Sequence, residues 1–341
     1  MAVEGQSRGS QPSPYDAARA WNGRTVLVTG AAGLLGGWMS RDLVAAGATV
    51  LGLDKAWEGE RAVVPDPGVE RVDGDVRDAA LLAELLGDGK IDTVIHLAAQ
   101  TLVGPAIEDP VDTFSNNIAG SWWILEACRN APSVRRIVVA SSDKAYGDAA
   151  GRPYREDMPL RALHPYDTSK AVTDLLAQTY AHTYGLPVAI TRCGNLYGGG
   201  DLNWSRIIPG TIRSVIEGEA PLIRSDGTFV RDYLYVRDAA EGIAALADLI
   251  GTRPELAGTA VNFSAGNRLS VIEIVRRILA LMGSNLEPVI LGLPLKEIPE
   301  QRVSARLARR LLGWRARTST DAGLRETIDW YRAYVSSSVA R

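Results

Sequence analysis

The stretch from Thr25 to Asp54 constrains this chain more than any other. A β-branched run, Thr25-Val26-Leu27-Val28-Thr29, leads into Gly30-Ala31-Ala32-Gly33-Leu34-Leu35-Gly36. A helical pattern through Trp38, Leu43 and Val44 follows as far as Gly47. A second apolar run, Thr49-Val50-Leu51-Gly52-Leu53, then closes on Asp54. Strand, glycine turn, helix, strand and acid in this order specify a parallel pair with a helical crossover. Glycines permit a tight turn and close approach of backbone. The helix N-terminus behind them offers free N–H groups to a pyrophosphate. An acid ending the second strand binds a ribose diol and repels a 2′-phosphate, so the expected cofactor is NAD and not NADP. Gly30, Gly33, Leu34, Leu35, Gly36 and Asp54 are the cofactor-binding candidates from this unit.

Further strands follow. Val69 to Asp78 ends in Asp73-Gly74-Asp75-Val76. Asp92 to His96 is a buried strand running into Leu97-Ala98-Ala99-Gln100, where small residues let a cofactor pass close by. His96 reads as a packed core histidine. Val111 to Arg129 reads as one long helix, with Phe114, Ile118, Trp122 and Leu125 at helical spacing. Asn117 lies within it and, if buried, needs hydrogen-bond partners. Adjacent Trp122 and Trp123 cannot both face one core, so one is expected to face a partner subunit. Ile137 to Ala140 is another buried strand. It ends at Ser141-Ser142-Asp143-Lys144-Ala145-Tyr146-Gly147, which sets a hydroxyl, a carboxylate and an amine side by side. Tyr166 opens a helix to about Tyr184 and shares one face with Lys170.

The strand–helix alternation loosens after Val188–Arg192. Helices are expected over 204–217, 237–250, 270–282, 305–312 and 321–334, with short strands between. The expected fold is α/β: a Rossmann-type doubly wound parallel sheet with a smaller, interleaved C-terminal α/β substrate-binding domain. Residues 22–196, joined by about 229–264, are expected to form the NAD-binding domain; 197–228 and 265–334 are expected to form the substrate-binding domain; 1–21 and 335–341 are expected tails. A chain of 341 residues buries a core of that size. Its net charge of −3 suggests no nucleic-acid partner. No apolar run is long enough to span a membrane. The Gly-, Ser- and Pro-rich N-terminus has no apolar signal region. Two cysteines and three scattered histidines form neither a disulfide framework nor a metal site, so no metal is expected and the cytoplasm is the default.

The chemistry follows from Tyr166 and Lys170. A tyrosine has an ordinary pKa near 10, so acting as a base at pH 7 needs about three units, roughly 4 kcal/mol. A lysine one turn away and a cationic nicotinamide together stabilise the phenolate. The phenolate takes a proton from a sugar or alcohol hydroxyl as hydride leaves the same carbon, and Ser142 hydrogen-bonds that oxygen.

The even spacing of Gly30, Gly33 and Gly36 resembles the TGxxGxxG turn of the short-chain dehydrogenase/reductases. The chain from about Arg24 to Tyr334 looks like an extended member of the nucleotide-sugar epimerase/dehydratase family. Within it, the chain is most similar to the CDP-glucose 4,6-dehydratases. The supporting segments are Val28 to Trp38, His96 to Gln100, Glu108 to Asn117, Ser142-Asp143-Lys144 and Gly194 to Asp201. The resemblance implies that Asp75 and Val76 contact the adenine. It implies that Leu97, Ala98, Ala99, Asn117, Tyr166 and Lys170 line the cofactor. Thr101, Ser142, Arg192, Asn195, Arg231 and Arg302 would bind substrate, and guanidinium groups suit a diphosphate. Dimerisation would use the two long helices.

Asp143-Lys144 decides between activities. Family epimerases carry small or hydroxyl residues there. The dehydratases carry an acid followed by Glu in dTDP-glucose enzymes or Lys in CDP-glucose enzymes. Oxidation at C4 makes the C5 hydrogen acidic. Loss of water across C5–C6 then needs a base at C5 and an acid for the C6 hydroxyl. Asp143 is the expected acid; Lys144 is the C5 base or an electrostatic partner of Asp143. The catalytic set is therefore Ser142, Asp143, Lys144, Tyr166 and Lys170. A C4 epimerase is the alternative, favoured by Arg231-Asp232-Tyr233; a non-catalytic NAD-binding regulator is a third reading.

Overall fold

The computed structural model describes residues 21–57, 67–294 and 298–339. The expected tail residues 1–20 and 340–341 lie outside them. The first half of the chain runs β1 (Thr25–Thr29), α1 (Leu34–Ala45), β2 (Thr49–Asp54), β3 (Val69–Asp73), α2 (Ala79–Gly87), β4 (Thr93–His96), α3 (Val103–Glu108) and α4 (Pro110–Phe114). It continues through a π-helical turn (Ser115–Ala119) into α5 (Gly120–Arg129), then β5 (Arg136–Ala140), α6 (Pro165–Tyr184) and β6 (Val188–Cys193). The second half runs β7 (Asn195–Tyr197), α7 (Ile207–Glu217), β8 (Leu222–Ile223), β9 (Val230–Arg231), β10 (Tyr233–Tyr235), α8 (Val236–Thr252) and β11 (Ala260–Phe263). It ends with β12 (Leu269–Ser270), α9 (Val271–Met282), β13 (Val289–Ile290), α10 (Arg306–Leu312) and α11 (Thr320–Val339).

Seven strands pair in the order β11-β6-β5-β4-β1-β2-β3, all parallel. Parallel strands covered on both faces must be apolar throughout, and Val26, Leu27 and Val28 of β1 have no exposed surface. Each such side chain contributes roughly 1.5–3 kcal/mol. Met39, Leu43, Ile243, Phe263 and Trp314 cover one face. Leu82, Leu86, Ile124, Leu125 and Ala177 cover the other. A third cluster, including Ile212, Ile274, Ile278, Leu324 and Tyr331, is the core of the smaller C-terminal unit. Strand order reverses between β1 and β4, so a crevice opens beyond their C-terminal ends. This is the Rossmann-type arrangement expected from the sequence.

Local departures have local causes. The helix expected over 111–129 contains the π-helical turn, which buries Asn116 and Asn117. Both Trp122 and Trp123 keep surface in solvent, not one alone. The helix expected from Trp204 starts at Ile207. Pro209 lacks an N–H and is tolerated only in the first turn, so the helix begins just ahead of it. Trp21, assigned to the tail, is fully buried against the core. The last helix runs through residues assigned to a C-terminal tail.

Candidate active site

Gly30 has φ +72°, and a Cβ there would stand 2.8 Å from the Ala98 amide nitrogen. The turn after β1 and the loop after β4 therefore meet backbone to backbone. A Cβ at Gly36 would overlap the Gly30 carbonyl oxygen. Asp54 closes the turn from β2 by accepting from Ala32 N and Ala56 N, both at 3.0 Å. Helix α1 starts at Gly33 with no side-chain cap and no acid in its first turn. Its positive end is thus uncompensated by protein and directed toward the crevice, which fits a pyrophosphate. Leu34 and Leu35 stand half-buried in that first turn. Gly36→Ala is expected to lower stability by about 1–3 kcal/mol and to weaken NAD binding at least tenfold. Denaturant titration and fluorescence titration with NAD check the two effects.

Thr29 fixes the β4 loop. Its hydroxyl pairs with His96 Nδ1 at 2.8 Å and accepts from the Leu97 and Ala98 amides. Burial pushes His96 down to about 3, so it is a neutral core residue, as the sequence suggested. Ala99 and Gln100 follow. Asn117 Oδ1 accepts from Gln100 N at 2.7 Å. Its Nδ2 donates to Gln100 O at 2.9 Å and to Ser169 Oγ at 2.8 Å. The Asn117 amide is thus committed to protein partners. It ties the cofactor loop to α6 at Ser169. Asp75 is likewise engaged: Arg77 binds both its oxygens and holds its carboxyl below the usual range. Val76 is buried against Gly120.

Strand β5 delivers the reactive groups. Ser141 Oγ donates to Lys170 O at 3.0 Å, fastening the strand end to α6. Ser142 then caps a single 3₁₀ turn, Asp143–Tyr146, by accepting from Lys144 N at 3.2 Å. Ser142 Oγ also donates to Asp143 Oδ1 at 3.2 Å. Asp143 is only 2 % exposed. Burial pushes its carboxyl up to about 6, against the opposing effects of Lys144, Ser142 and Arg231. Lys144 is half-buried, with Nζ 3.4 Å from Gln301 Oε1. The Gln301 Nε2 donates to Asp143 Oδ2 at 3.2 Å.

Tyr166 and Lys170 are both buried on α6. Burial raises Tyr166 to about 12, with the Ser142 hydroxyl opposing it. Burial lowers Lys170 to about 8, and its Nζ donates to Ala140 O at 2.8 Å. The lysine thus anchors the end of β5. Lowering the tyrosine's proton affinity falls to a cation beside the phenol. The expected cluster of Ser142, Asp143, Lys144, Tyr166 and Lys170 is assembled at the ends of β5 and α6.

The substrate candidates divide. Arg192 is withdrawn from substrate. Its Nε and Nη2 bind Asp174 at 2.7 and 2.9 Å, its Nη1 donates to Tyr146 OH at 2.7 Å, and its charge lies over the Tyr146 ring. It is a buried ion pair beneath the site. Breaking such a pair costs about 3–5 kcal/mol; Arg192→Ala is expected to lose that in denaturant titration, with substrate KM held in the folded fraction. Arg231 is buried, and Nη1 donates to Ile298 O at 2.8 Å, so its guanidinium organises residues 298–300. Thr101 is exposed and accepts from Arg206 Nη2 at 3.0 Å. Asn195 is half-buried beside the Asp232 backbone. Arg302 is half-buried and donates to Gly151 O at 3.1 Å. Sequence reasoning missed Gln301 and Arg206, whose places depend on chain folded back from far downstream. Among the described residues no cluster of acids, histidines or cysteines suits a metal, and no helix is long and apolar enough to cross a membrane.

Comparison with known proteins agrees with this geometry. The chain is 31% identical over 321 residues to an Arabidopsis thaliana trifunctional UDP-glucose 4,6-dehydratase/3,5-epimerase/reductase, covering 90% of this chain but 47% of that protein. It thus spans about half the length of that relative. It is 31% identical to a dTDP-glucose 4,6-dehydratase of Xanthomonas campestris, with 90% and 93% of the two chains covered. Among solved structures, an epimerase of Methanothermobacter thermautotrophicus superposes with TM-score 0.86 at 27% identity, covering 95% and 96% of the chains. The DesIV dTDP-glucose 4,6-dehydratase of Streptomyces venezuelae, solved with NAD bound, superposes with TM-score 0.81 at 32% identity over 90% and 96%. The NAD dependent epimerase/dehydratase family model matches residues 26–255, and with the glycine turn, its uncapped helix and the Tyr166–Lys170 pair beyond it, the chain belongs to that family and takes NAD as its cofactor.

Proposed function

We propose that this protein is an NAD-dependent nucleoside-diphosphate-hexose 4,6-dehydratase. The observation that carries the reading is Asp143, a buried acid whose proton affinity reaches the neutral range, next to Lys144 and adjoining the Ser142–Tyr166 pair. Held by the glycine turn after β1 and the loop after β4, NAD would supply reversible hydride acceptance, a proton with two electrons, with no net oxidation. The protein's own groups do the proton chemistry. Tyr166, as phenolate, accepts the C4 hydroxyl proton while Ser142 holds that oxygen. The resulting C4 ketone acidifies the C5 hydrogen. Lys144, reacting as the free amine, takes the C5 proton, and Asp143 protonates the departing C6 hydroxyl, which leaves as water; Lys144 then returns a proton to C5 as hydride reaches C6. The product is a 4-keto-6-deoxy nucleotide sugar.

CDP-glucose is the proposed substrate, because Lys144 follows the acid as in the CDP-glucose enzymes it resembles. Incubation with CDP-, dTDP-, UDP- and GDP-glucose, read by mass spectrometry, is expected to show loss of one water from the CDP sugar. Loss from another nucleotide alone would correct the substrate; unchanged mass with all four would overturn the activity. The second reading, a C4 epimerase, draws support from the epimerase neighbour and Arg231-Asp232-Tyr233. It predicts a product of unchanged mass and tolerance of Asp143→Asn.

The proposal includes a homodimer through α4–α5 and α6. Trp122, Trp123, Leu175 and Tyr184 are exposed on α5 and α6, and Tyr180 OH ties the two helices by donating to Glu126. Trp122→Glu with Leu175→Glu is expected to halve the mass found by sedimentation equilibrium. Wild-type protein sedimenting as a monomer would remove this part of the proposal.

A further inference from the structure

Gln301 is fully buried, and its side chain reaches between Asp143 and Lys144 from 158 residues downstream. Nothing in the reaction as written uses it. We propose that Gln301 is the positioning residue of the dehydration step, holding Asp143 and Lys144 apart and orienting each through one end of its amide. The proposal rests on the dehydratase reading for its chemical meaning.

Three observations carry it. First, the amide is polar in the sense the pair requires. Its Nε2 end donates to the Asp143 carboxyl at 3.2 Å and its Oε1 accepts from Lys144 Nζ at 3.4 Å. Rotation of the amide by 180° would turn Oε1 away from the Lys144 donor, so each end is matched to one partner. Second, Asp143 and Lys144 make no direct ion pair within 4.0 Å, although they are neighbours in sequence. A direct pair would favour the carboxylate and remove the acid the reaction needs. The bridging amide gives the carboxyl a neutral donor instead.

Third, the backbone carrying Gln301 is clamped from both sides. Its N–H donates to Val230 O at 3.1 Å, and Val230 N donates to Pro299 O at 3.0 Å. Immediately after it, Arg302 O accepts from Tyr154 N at 2.7 Å, and Ser304 N donates to Tyr154 O at 3.0 Å. Arg231 holds Ile298 O from the same side as Val230. A long, flexible side chain held at both backbone edges loses little further freedom on making its two hydrogen bonds.

The groups facing Asp143 are known. Lys144 and Arg231 are basic, Asp167 and Asp232 are acidic, and the Tyr154 and Tyr166 phenols and the Cys193 thiol lie nearby. Gln301 does not titrate. Movement of the Asp143 titration in Gln301→Met, which adds no charge, therefore reports the bridge.

The test uses Gln301→Glu and Gln301→Met in the NAD-loaded protein, with the nucleotide hexose that the wild type dehydrates. Gln301→Glu sets a second carboxylate beside Asp143, so the two share one proton. The high-pH limb of kcat is then expected to rise by about one pH unit or more. Gln301→Met keeps the volume and deletes both hydrogen bonds. It is expected to lower kcat at least tenfold while KM stays within about threefold. Carbon-13 carboxyl titration of Asp143, assigned by difference from Asp143→Asn, is expected to move upward in Gln301→Glu whatever the reaction is. An unmoved carboxyl titration, or a rise in KM with kcat kept, overturns the positioning role. Failure of the wild type to release water from any nucleotide hexose overturns the dehydratase reading instead, and leaves the titration to decide the bridge.

Discussion

Asp143→Asn is expected to lower water loss by about a thousandfold in kcat and at the same time to make the protein more stable at pH 8. The kinetic half follows from removing a general acid, a loss of roughly 10²–10⁴. The stability half follows from burial. Asp143 has a folded pKa of about 6 against an ordinary 3.8. The native carboxyl therefore binds its proton more tightly than the unfolded one. Its contribution to stability is fully present below about pH 4 and is lost as pH rises through 6. Above that, the buried carboxylate costs on the order of 2–3 kcal/mol, as the shift from 3.8 to about 6 implies. Asparagine carries no such charge and keeps an oxygen for the Gln301 amide. Denaturant titrations of both proteins at pH 4.5 and pH 8 check it: the variant's advantage should appear only at the higher pH. A variant less stable at pH 8 would show that Asp143 is a structural hydrogen-bonding group, with its charge already compensated.

Tyr166→Phe has the other large effect, and it stops the reaction earlier. Without the phenol no group takes the C4 hydroxyl proton, so kcat falls by about a thousandfold. The two variants differ in deuterium oxide. In Asp143→Asn the C4 ketone still forms, Lys144 still removes the C5 proton, and recovered sugar gains deuterium at C5. In Tyr166→Phe the ketone never forms and C5 stays unlabelled. Nuclear magnetic resonance of the recovered sugar separates these outcomes. Because burial holds Tyr166 up at about 12 and Lys170 is tied to Ala140 O, the rising limb of the wild-type pH profile should follow ionisation of the phenol, and the falling limb loss of the Asp143 proton. Label at C5 in Tyr166→Phe would move the base to another residue.

The legible parts of this protein are those encoded within one turn or one strand. The glycine turn, its acid after β2 and the Tyr166–Lys170 spacing each depend on local periods, and each falls at the end of the element expected for it. The Ser142-Asp143-Lys144 run was legible for the same reason: it follows directly on an apolar strand. Arg192 was misread because its partner, Asp174, comes from α6 and nothing local distinguishes a buried arginine from one facing a diphosphate. The π-helical turn that carries Asn117 was missed because widening one turn barely alters the apolar spacing, yet it turns the amide toward Gln100 and Ser169. Gln301 had no local signal at all. Its meaning arises only when residues 298–304 are drawn between Val230 and Tyr154.

The central claim is that hydrogen removed from C4 returns at C6 once water has left. Nucleotide glucose carrying deuterium at C4 tests it directly. The expected product is lighter by one water, with the deuterium in its new C6 methyl group. Deuterium restored to C4 in a product of unchanged mass would contradict it and make the protein an epimerase.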